Sequence, residues 1–267
     1  MNKSIPVGVI GAGIMGEALI AALIAFGVDA KKITISEKRL ERASELMSRY
    51  GINLESIENN VATAEVLLLV VKPQDMASVL AEIKSSINQE AVVVTFAAGK
   101  KISFISEGLA TDNPIIRVMP NTATLVGAGM AAISLGSGVS TQQSDFVTGF
   151  LSATGKVIEV PEDLQDAVTA TSGSGPAYFF RFVEAMVDGA QQLGLSHDAA
   201  TQLTVQTIVG AAKLLEESGK SATVLRENVT SPNGTTAAAL ASFESSHISS
   251  VVATAMKAAR DRSQELA

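Results

Sequence analysis

Val7-Gly8-Val9-Ile10-Gly11-Ala12-Gly13-Ile14-Met15-Gly16 decides how the rest of the chain reads. An apolar run from Ile5 to Ile10 meets glycines at 11, 13 and 16, and an Ala-rich apolar pattern from Glu17 to Phe26 follows at once. The spacing predicts a strand, a tight turn and a helix. Gly11 permits the turn, Gly13 lets the backbone approach a pyrophosphate, and Gly16 lets the helix pack close to the strand. A helix N-terminus offers free N–H groups and a positive dipole end to phosphates. Gly11, Ala12, Gly13, Ile14, Met15 and Gly16 are therefore expected to bind a dinucleotide, against the plainer reading of a glycine-rich turn in an ordinary βα unit.

The 267 residues suit one large domain or two modest ones. Hydrophobic residues make up 47% and charged residues 18%, an apolar balance that points to a substantial subunit interface. The net charge is −7 with no block of Lys or Arg, which argues against nucleic acid or an anionic membrane as partner. There is no cysteine, so thiol and disulfide chemistry are unavailable and a cytoplasmic location is expected. Residues 1–28 superficially resemble a signal peptide, but Glu17 and the three glycines interrupt the apolar run. No run reaches the roughly 18 apolar residues that a membrane span needs.

Lys32 to Ile35 reads as a second strand, ending at Ser36-Glu37-Lys38-Arg39. In this fold the chain meets the adenosine ribose there; an acid favours NAD, whereas Arg or Lys accommodates the 2′-phosphate of NADP. Ser36, Lys38 and Arg39 suit the phosphate and Glu37 opposes it, so NADP (NADPH) is expected, with NAD possible. The plainer reading is that Lys38 and Arg39 open a solvated helix over 37–50. Val66–Val71, Ala91–Phe96 and Ile115–Met119 are apolar enough for a parallel sheet covered on both faces. They stop at Lys72-Pro73, Ala97-Ala98-Gly99 and Pro120-Asn121, on the carboxyl edge where ligands bind in such sheets. Val71, Lys72, Pro73, Ala97, Ala98, Gly99 and Asn121 are thus expected as a flat wall for a nicotinamide. Two later strands (128–134 and 156–160) flank a helix over 141–153.

Beyond Pro161 no strand pattern occurs, and helices are predicted over 163–171, 176–193, 197–217, 221–229, 235–244 and 247–266. Gly194 is a helix stop and Ser196 an N-cap. The expected fold is α/β: a Rossmann-type doubly wound sheet over 1–161, then an all-helical domain over 162–267. Leu203, Val205, Ile208, Val209, Leu214 and Leu215 do not fall on a single helical stripe, which predicts an intertwined homodimer. Neither His197 nor His247 belongs to a cluster with metal-ligand spacing, so no metal is expected.

Two stretches of the second half are unusual for packing alone. One is Asp166 to Tyr178, dominated by small residues, with Pro176 able to open a helix. The other is Asn228-Val229-Thr230-Ser231-Pro232-Asn233-Gly234-Thr235-Thr236, a polar turn in which Thr235 or Thr236 is expected to cap the next helix and create an anion site. With Gly11–Gly16, Val71-Lys72-Pro73-Gln74 and Arg117–Thr122, they make the chain closely similar to the pyrroline-5-carboxylate reductases over essentially its whole length. The resemblance implies reduction of 1-pyrroline-5-carboxylate to L-proline with NAD(P)H, the last step of proline biosynthesis. It also implies a helical domain that dimerises and, in some members, dimers assembled into decamers. The family commonly has Gly-Gly where this chain has Asn233-Gly234, and Pro where it has Ala123. Asn tolerates the left-handed conformation best after Gly, so the turn is expected to survive.

On this resemblance the substrate carboxylate falls to the backbone N–H groups of Asn233, Gly234, Thr235 and Thr236, and the Thr236 hydroxyl faces the imine nitrogen. Asn228 resembles the family's residue near the cofactor. Glu162 stands at the domain junction, either near the substrate amine or as a helix N-terminal acid. A β-hydroxyacid dehydrogenase, with Lys213 as its catalytic lysine, is the competing enzyme class. A non-catalytic dinucleotide-binding protein is the competing non-enzyme.

Overall fold

The computed structural model describes residues 3–266; Met1, Asn2 and Ala267, which the expected domains include, lie outside the described residues. Eight strands form one sheet, β1 (Val7–Ile10), β2 (Ile33–Ser36), β3 (Asn53–Leu54), β4 (Val66–Leu69), β5 (Val92–Thr95), β6 (Ile115–Met119), β7 (Gly129–Leu135) and β8 (Gly155–Glu159). The order is β3-β2-β1-β4-β5-β6-β7-β8. All neighbours run parallel except β6 and β7. The strand order reverses at β1, the point where such sheets open a crevice at their carboxyl edge.

Helices α1 (Ile14–Phe26), α2 (Leu40–Tyr50), α3 (Ile57–Thr63), α4 (Met76–Ile83), α5 (Ile102–Leu109) and α6 (Thr141–Ser152) cover both faces. The strands alternate between two cores. Val66, Leu68, Val92 and Val94 join Leu19, Leu23, Leu46 and Phe150 on one face. Leu67, Leu69 and Val93 join Leu80, Ile83, Ile105 and Leu109 on the other. A period of two with both phases apolar is what a sheet buried on both sides requires. Ser140 opens α6 with a capping box to Gln143.

The expected helix over 37–50 begins only at Leu40. Glu37 turns its carboxylate back onto the Arg39 N–H (3.0 Å), a local bond that competes with helix formation. The expected helix over 163–171 is also interrupted. After α7 (Gln165–Val168) the chain widens into a π-turn over Thr169–Gly173, where a Cβ on Gly173 would come within 2.5 Å of the Met119 methyl.

The remaining helices are α8 (Gly175–Gln192), α9 (His197–Glu217), α10 (Ala222–Asn228), α11 (Thr235–Ser245) and α12 (Ile248–Glu265). Gly194 stops α8 with φ 99°, and Ser196 caps α9. The chain divides into two compact units. One runs to Ser174 and takes in the chain again from Ala259; the other is Gly175–Ala258. The sheet unit thus extends past the expected boundary at 161/162, for a physical reason. Gln165 donates to the Ala132 carbonyl (3.3 Å) and the Ser134 hydroxyl (2.9 Å), and the Ser263 hydroxyl donates to Asp166 (2.7 Å).

Candidate functional site

The glycine turn is built as an anion cradle. Gly11 has φ 89°, its N–H donates to the Ser36 carbonyl at 3.0 Å, and a Cβ there would lie 3.0 Å from the Val70 carbonyl oxygen. Gly13 is the N-cap of α1 and faces open space, so that no atom lies within 4 Å of where a Cβ would be. Gly16 packs against the Gly11 carbonyl, where a side chain would collide. No side chain caps α1, which leaves the N–H groups of Ile14, Met15 and Gly16 for a ligand. These residues fit a pyrophosphate.

A cavity of about 510 Å³ opens beside the turn. Ser36, Glu37, Lys38 and Arg39 line one side and Val70, Val71 and Lys72 another, with Gly11 and Gly13 at its floor. Ser36 is already engaged: its hydroxyl donates to the Glu55 carbonyl (3.1 Å) and accepts from Asn60 (3.0 Å). Glu37, only 8% exposed in its side chain, accepts from the Ala12 N–H (3.1 Å) and from the Arg39 N–H and Nε (both 3.0 Å). Burial pushes its carboxyl up, but these hydrogen bonds and the Arg39 charge outweigh it and hold the group below the usual carboxylate range. The Arg39 side chain is 65% exposed. A separate polar hollow of about 560 Å³, lined by Gln89, Asp112 and Gln143 among others, lies at the opposite, amino edge of the parallel strands and contains no expected site residue.

The ends of β4, β5 and β6 do fall on the carboxyl edge with that of β1. There Gly99 has φ 75°, and a Cβ on it would lie 2.7 Å from the Ser263 carbonyl oxygen, so the last turn of α12 packs on the Ala97–Gly99 turn. The Asn121 side chain accepts from the Met130 N–H (3.1 Å) and shapes the turn into β7. Glu162 accepts from the Ile102 N–H (2.6 Å) at the start of α5 and from Arg117 (3.4 Å). Arg117, 3% exposed, also pairs with Asp166 at 3.6 Å. Arg117 is absent from the expected site, yet an arginine inside an otherwise apolar strand is itself a signal. A buried charge of this kind is tolerated only with partners.

In the helical unit, Asn228 ends α10 and the turn 229–234 leads into α11. Thr230 ties the turn to α10, its hydroxyl donating to the Arg226 carbonyl at 2.6 Å. Asn233 takes φ 59°, and the Gly234 N–H donates to the Ser231 carbonyl (3.0 Å). Neither Thr235 nor Thr236 caps α11, contrary to expectation. Gly234 is the N-cap, with extended backbone and no side-chain hydrogen bond, because the Ser231 hydroxyl lies where a side chain on residue 234 would stand. Thr235 and Thr236 are the first two helical residues, so their N–H groups have no intrahelical partner.

A family model described as pyrroline-5-carboxylate reductase dimerisation matches residues 162–266, and one described as NADP oxidoreductase coenzyme F420-dependent matches residues 6–99. A pyrroline-5-carboxylate reductase of Corynebacterium melassecola is 42% identical over 265 residues, covering 97% of this chain and 98% of the relative. The chain belongs to the pyrroline-5-carboxylate reductase family. Another member, from Synechocystis sp., is 41% identical with 98% of each chain covered. The solved structure of a pyrroline-5-carboxylate reductase from Coxiella burnetii superposes with a TM-score of 0.91 at 33% identity, covering 99% of both chains. That of a Plasmodium falciparum pyrroline carboxylate reductase with NADP bound gives 0.89 at 28%, covering 100% of this chain and 99% of that one.

Within this family's pattern, the left-handed φ of Asn233 shows that the turn forms without the glycine common there. Lys213, on which the dehydrogenase alternative depends, is an exposed residue of α9. Among the described residues no group of three His, Asp or Glu side chains converges as metal ligands, and no helix is long and apolar enough to cross a membrane.

Proposed function

We propose that this chain reduces 1-pyrroline-5-carboxylate to L-proline, using NADPH or NADH held by the glycine cradle and its groove. The observation that carries the substrate reading is the start of α11, where no side chain caps the helix and the Asn228–Thr236 turn contains no basic residue. A carboxylate must be held there by backbone N–H groups and the helix dipole. Thr235 and Thr236 supply the donors; Asn233 and Gly234 shape the turn, the Gly234 N–H being engaged by Ser231. The cofactor supplies the hydride. The Thr236 hydroxyl hydrogen-bonds the imine nitrogen, directly or through a water, as hydride reaches the adjacent carbon. This is electrostatic and positioning help, since threonine is a weak acid.

The wall at Val71, Lys72, Pro73, Ala97, Ala98, Gly99 and Asn121 serves the nicotinamide end, and Asn228 is assigned to the cofactor on the family resemblance. The bonds from Ile102 and Arg117 to Glu162 support a positioning role for this acid over contact with the substrate amine. The functional division is a dinucleotide-binding segment over 1–161 and a substrate and dimerisation segment over 162–267. The minimal unit is an intertwined homodimer, with dimers able to build a decamer, in the cytoplasm. NADPH and NADH oxidation followed spectrophotometrically with 1-pyrroline-5-carboxylate tests the reading: substrate-dependent oxidation is expected. A folded oligomer that binds cofactor and oxidises none of it would leave the non-catalytic alternative.

A further inference from the structure

We propose that the end of α12 is part of the nicotinamide site: Arg117, Asp166 and Ser263 form a buried latch that seats its last turn on Ala97–Gly99, and so act as positioning residues for hydride transfer. The inference rests on the reading above that this turn is a wall for the nicotinamide. Thr95, Arg117 and Ser134 are register neighbours across β5, β6 and β7, and all three are nearly inaccessible to solvent. They make a polar row across the sheet. Residues two apart on a strand share a face, so Ala97 follows Thr95 one step nearer the carboxyl edge.

The row carries a charge imbalance. One guanidinium, that of Arg117, faces two carboxylates, Glu162 at 3.4 Å and Asp166 at 3.6 Å. The second pair is too long to be a hydrogen bond. Two neutral donors meet the surplus negative charge: the Ile102 N–H, 2.6 Å from Glu162, and the Ser263 hydroxyl, 2.7 Å from Asp166. Ile102 begins α5 just after the Ala97–Gly99 turn. Ser263, itself 2% exposed, lies in the part of α12 that belongs to the sheet unit. Gln165, bonded to Ala132 and Ser134, fixes the backbone next to Asp166. A Cβ on Gly99 would lie 2.7 Å from the Ser263 carbonyl oxygen and 2.8 Å from the Leu266 Cβ. The end of α12 therefore meets the turn with no side chain of residue 99 between them, and a shift of one displaces the other. Without the Ser263 hydroxyl, Asp166 keeps only an ion pair beyond hydrogen-bond reach, and its mostly buried carboxylate loses its short donor.

The plainer alternative is that the network only stabilises this corner of the sheet unit. That role would lower the melting temperature and leave bound coenzyme as it was, so the state of the dihydronicotinamide is the readout. In the whole oligomer, Ser263→Ala should leave NADPH affinity nearly unchanged, because the glycine turn and its groove hold the pyrophosphate and adenosine. The fluorescence anisotropy of the dihydronicotinamide at saturation should fall toward that of free NADPH. The turnover number should drop about 10- to 100-fold, the scale on which a small misplacement of a bound group acts. Gly99→Ala, which pushes the helix end away instead of untying it, should give the same pattern. Arg262→Ala, beside Ser263 with its side chain 67% exposed, should not. A folded Ser263→Ala oligomer with unchanged anisotropy and turnover would overturn the proposal, as would the same fall in Arg262→Ala, which would mark a general loosening of the helix end. Wild-type protein whose bound NADPH keeps a freely mobile nicotinamide would overturn the wall reading and the latch with it. Anisotropy that shifts as stated in a protein without imine reductase activity would uphold the latch and count against the substrate reading instead.

Discussion

In the sheet unit Leu67, Leu68 and Leu69 are inaccessible to solvent, while in the helical unit Leu203 and Leu214 are each 57% exposed and Leu193 is 88% exposed. The contrast extends beyond these leucines. The sheet unit has two contiguous cores, one on each face. Among the described hydrophobic residues of Gly175–Ala258, only Val187 and Ala200 count as buried, and Phe179, Phe180 and Val251 are all more than 60% exposed. An amphipathic sheet covered by helices closes on itself, whereas long helices with apolar residues on several sides need another surface. One unit buries its apolar side chains by internal packing, whereas the other, which matches the family's dimerisation model, leaves many of its own exposed.

The largest expected effect breaks the second unit. The double substitution Leu203→Asp and Leu214→Asp should abolish assembly, seen as a monomer in sedimentation, and remove imine reductase activity. An active monomer would show that the exposed leucines are not an interface. Next comes the chemistry on the helical unit. Thr236→Ala should lower the turnover number about 10- to 1000-fold with a smaller change in substrate KM, and Thr236→Ser should retain much of the activity. Full activity in a folded alanine variant would reduce Thr236 to a plain residue of the first helical turn.

The comparison is sharpened by paired leucine truncations. Leu68→Ala should cost about 2–5 kcal/mol in denaturant unfolding, independent of protein concentration. Leu214→Ala should instead make the unfolding midpoint fall on dilution. Equal, concentration-independent effects at the two sites would contradict the division drawn here.

The smallest effect concerns an ion-pair cluster over the sheet unit. Glu17 on α1 is bonded by Arg42 and Arg49 of α2 and by the Tyr50 hydroxyl (3.0 Å). Burial raises its carboxyl, but these partners outweigh that and leave it below the usual range. A carboxyl lowered on folding stabilises above its unfolded pKa, and that stability is lost as the pH falls through the folded value. Wild-type protein should therefore lose about 1 kcal/mol or less from this cluster on acidification below the ordinary carboxylate range, and Glu17→Gln should lose less. Identical acid-side slopes in thermal melts of the two proteins would remove the cluster from the account.

The main buried strands, the glycine cradle and the helical second half were legible in the chain because they rest on local causes, whereas β3 and the helices α3, α4 and α5 were not read from it. Gly11, Gly13 and Gly16 announce a turn by their spacing, and the apolar runs at 66–71, 91–96 and 115–119 announce buried parallel strands by having no polar phase. Gly194, Ser196 and the positive φ of Asn233 follow from single-residue backbone preferences. What only the tertiary structure decided are pairings between residues far apart in sequence. Glu37 reads from the sequence as an acid opposing a 2′-phosphate, but that its carboxylate accepts from the Ala12 N–H, 25 residues away, is visible only in the fold. Glu162 reads as a helix acid until Arg117 and the start of α5 meet it. The reversal between β6 and β7 and the extension of the sheet unit to Ser174 belong to the same class. A backbone preference is set by a residue and its neighbours; the partner of a buried charge is set by which distant strand or helix folding brings within about 3 Å.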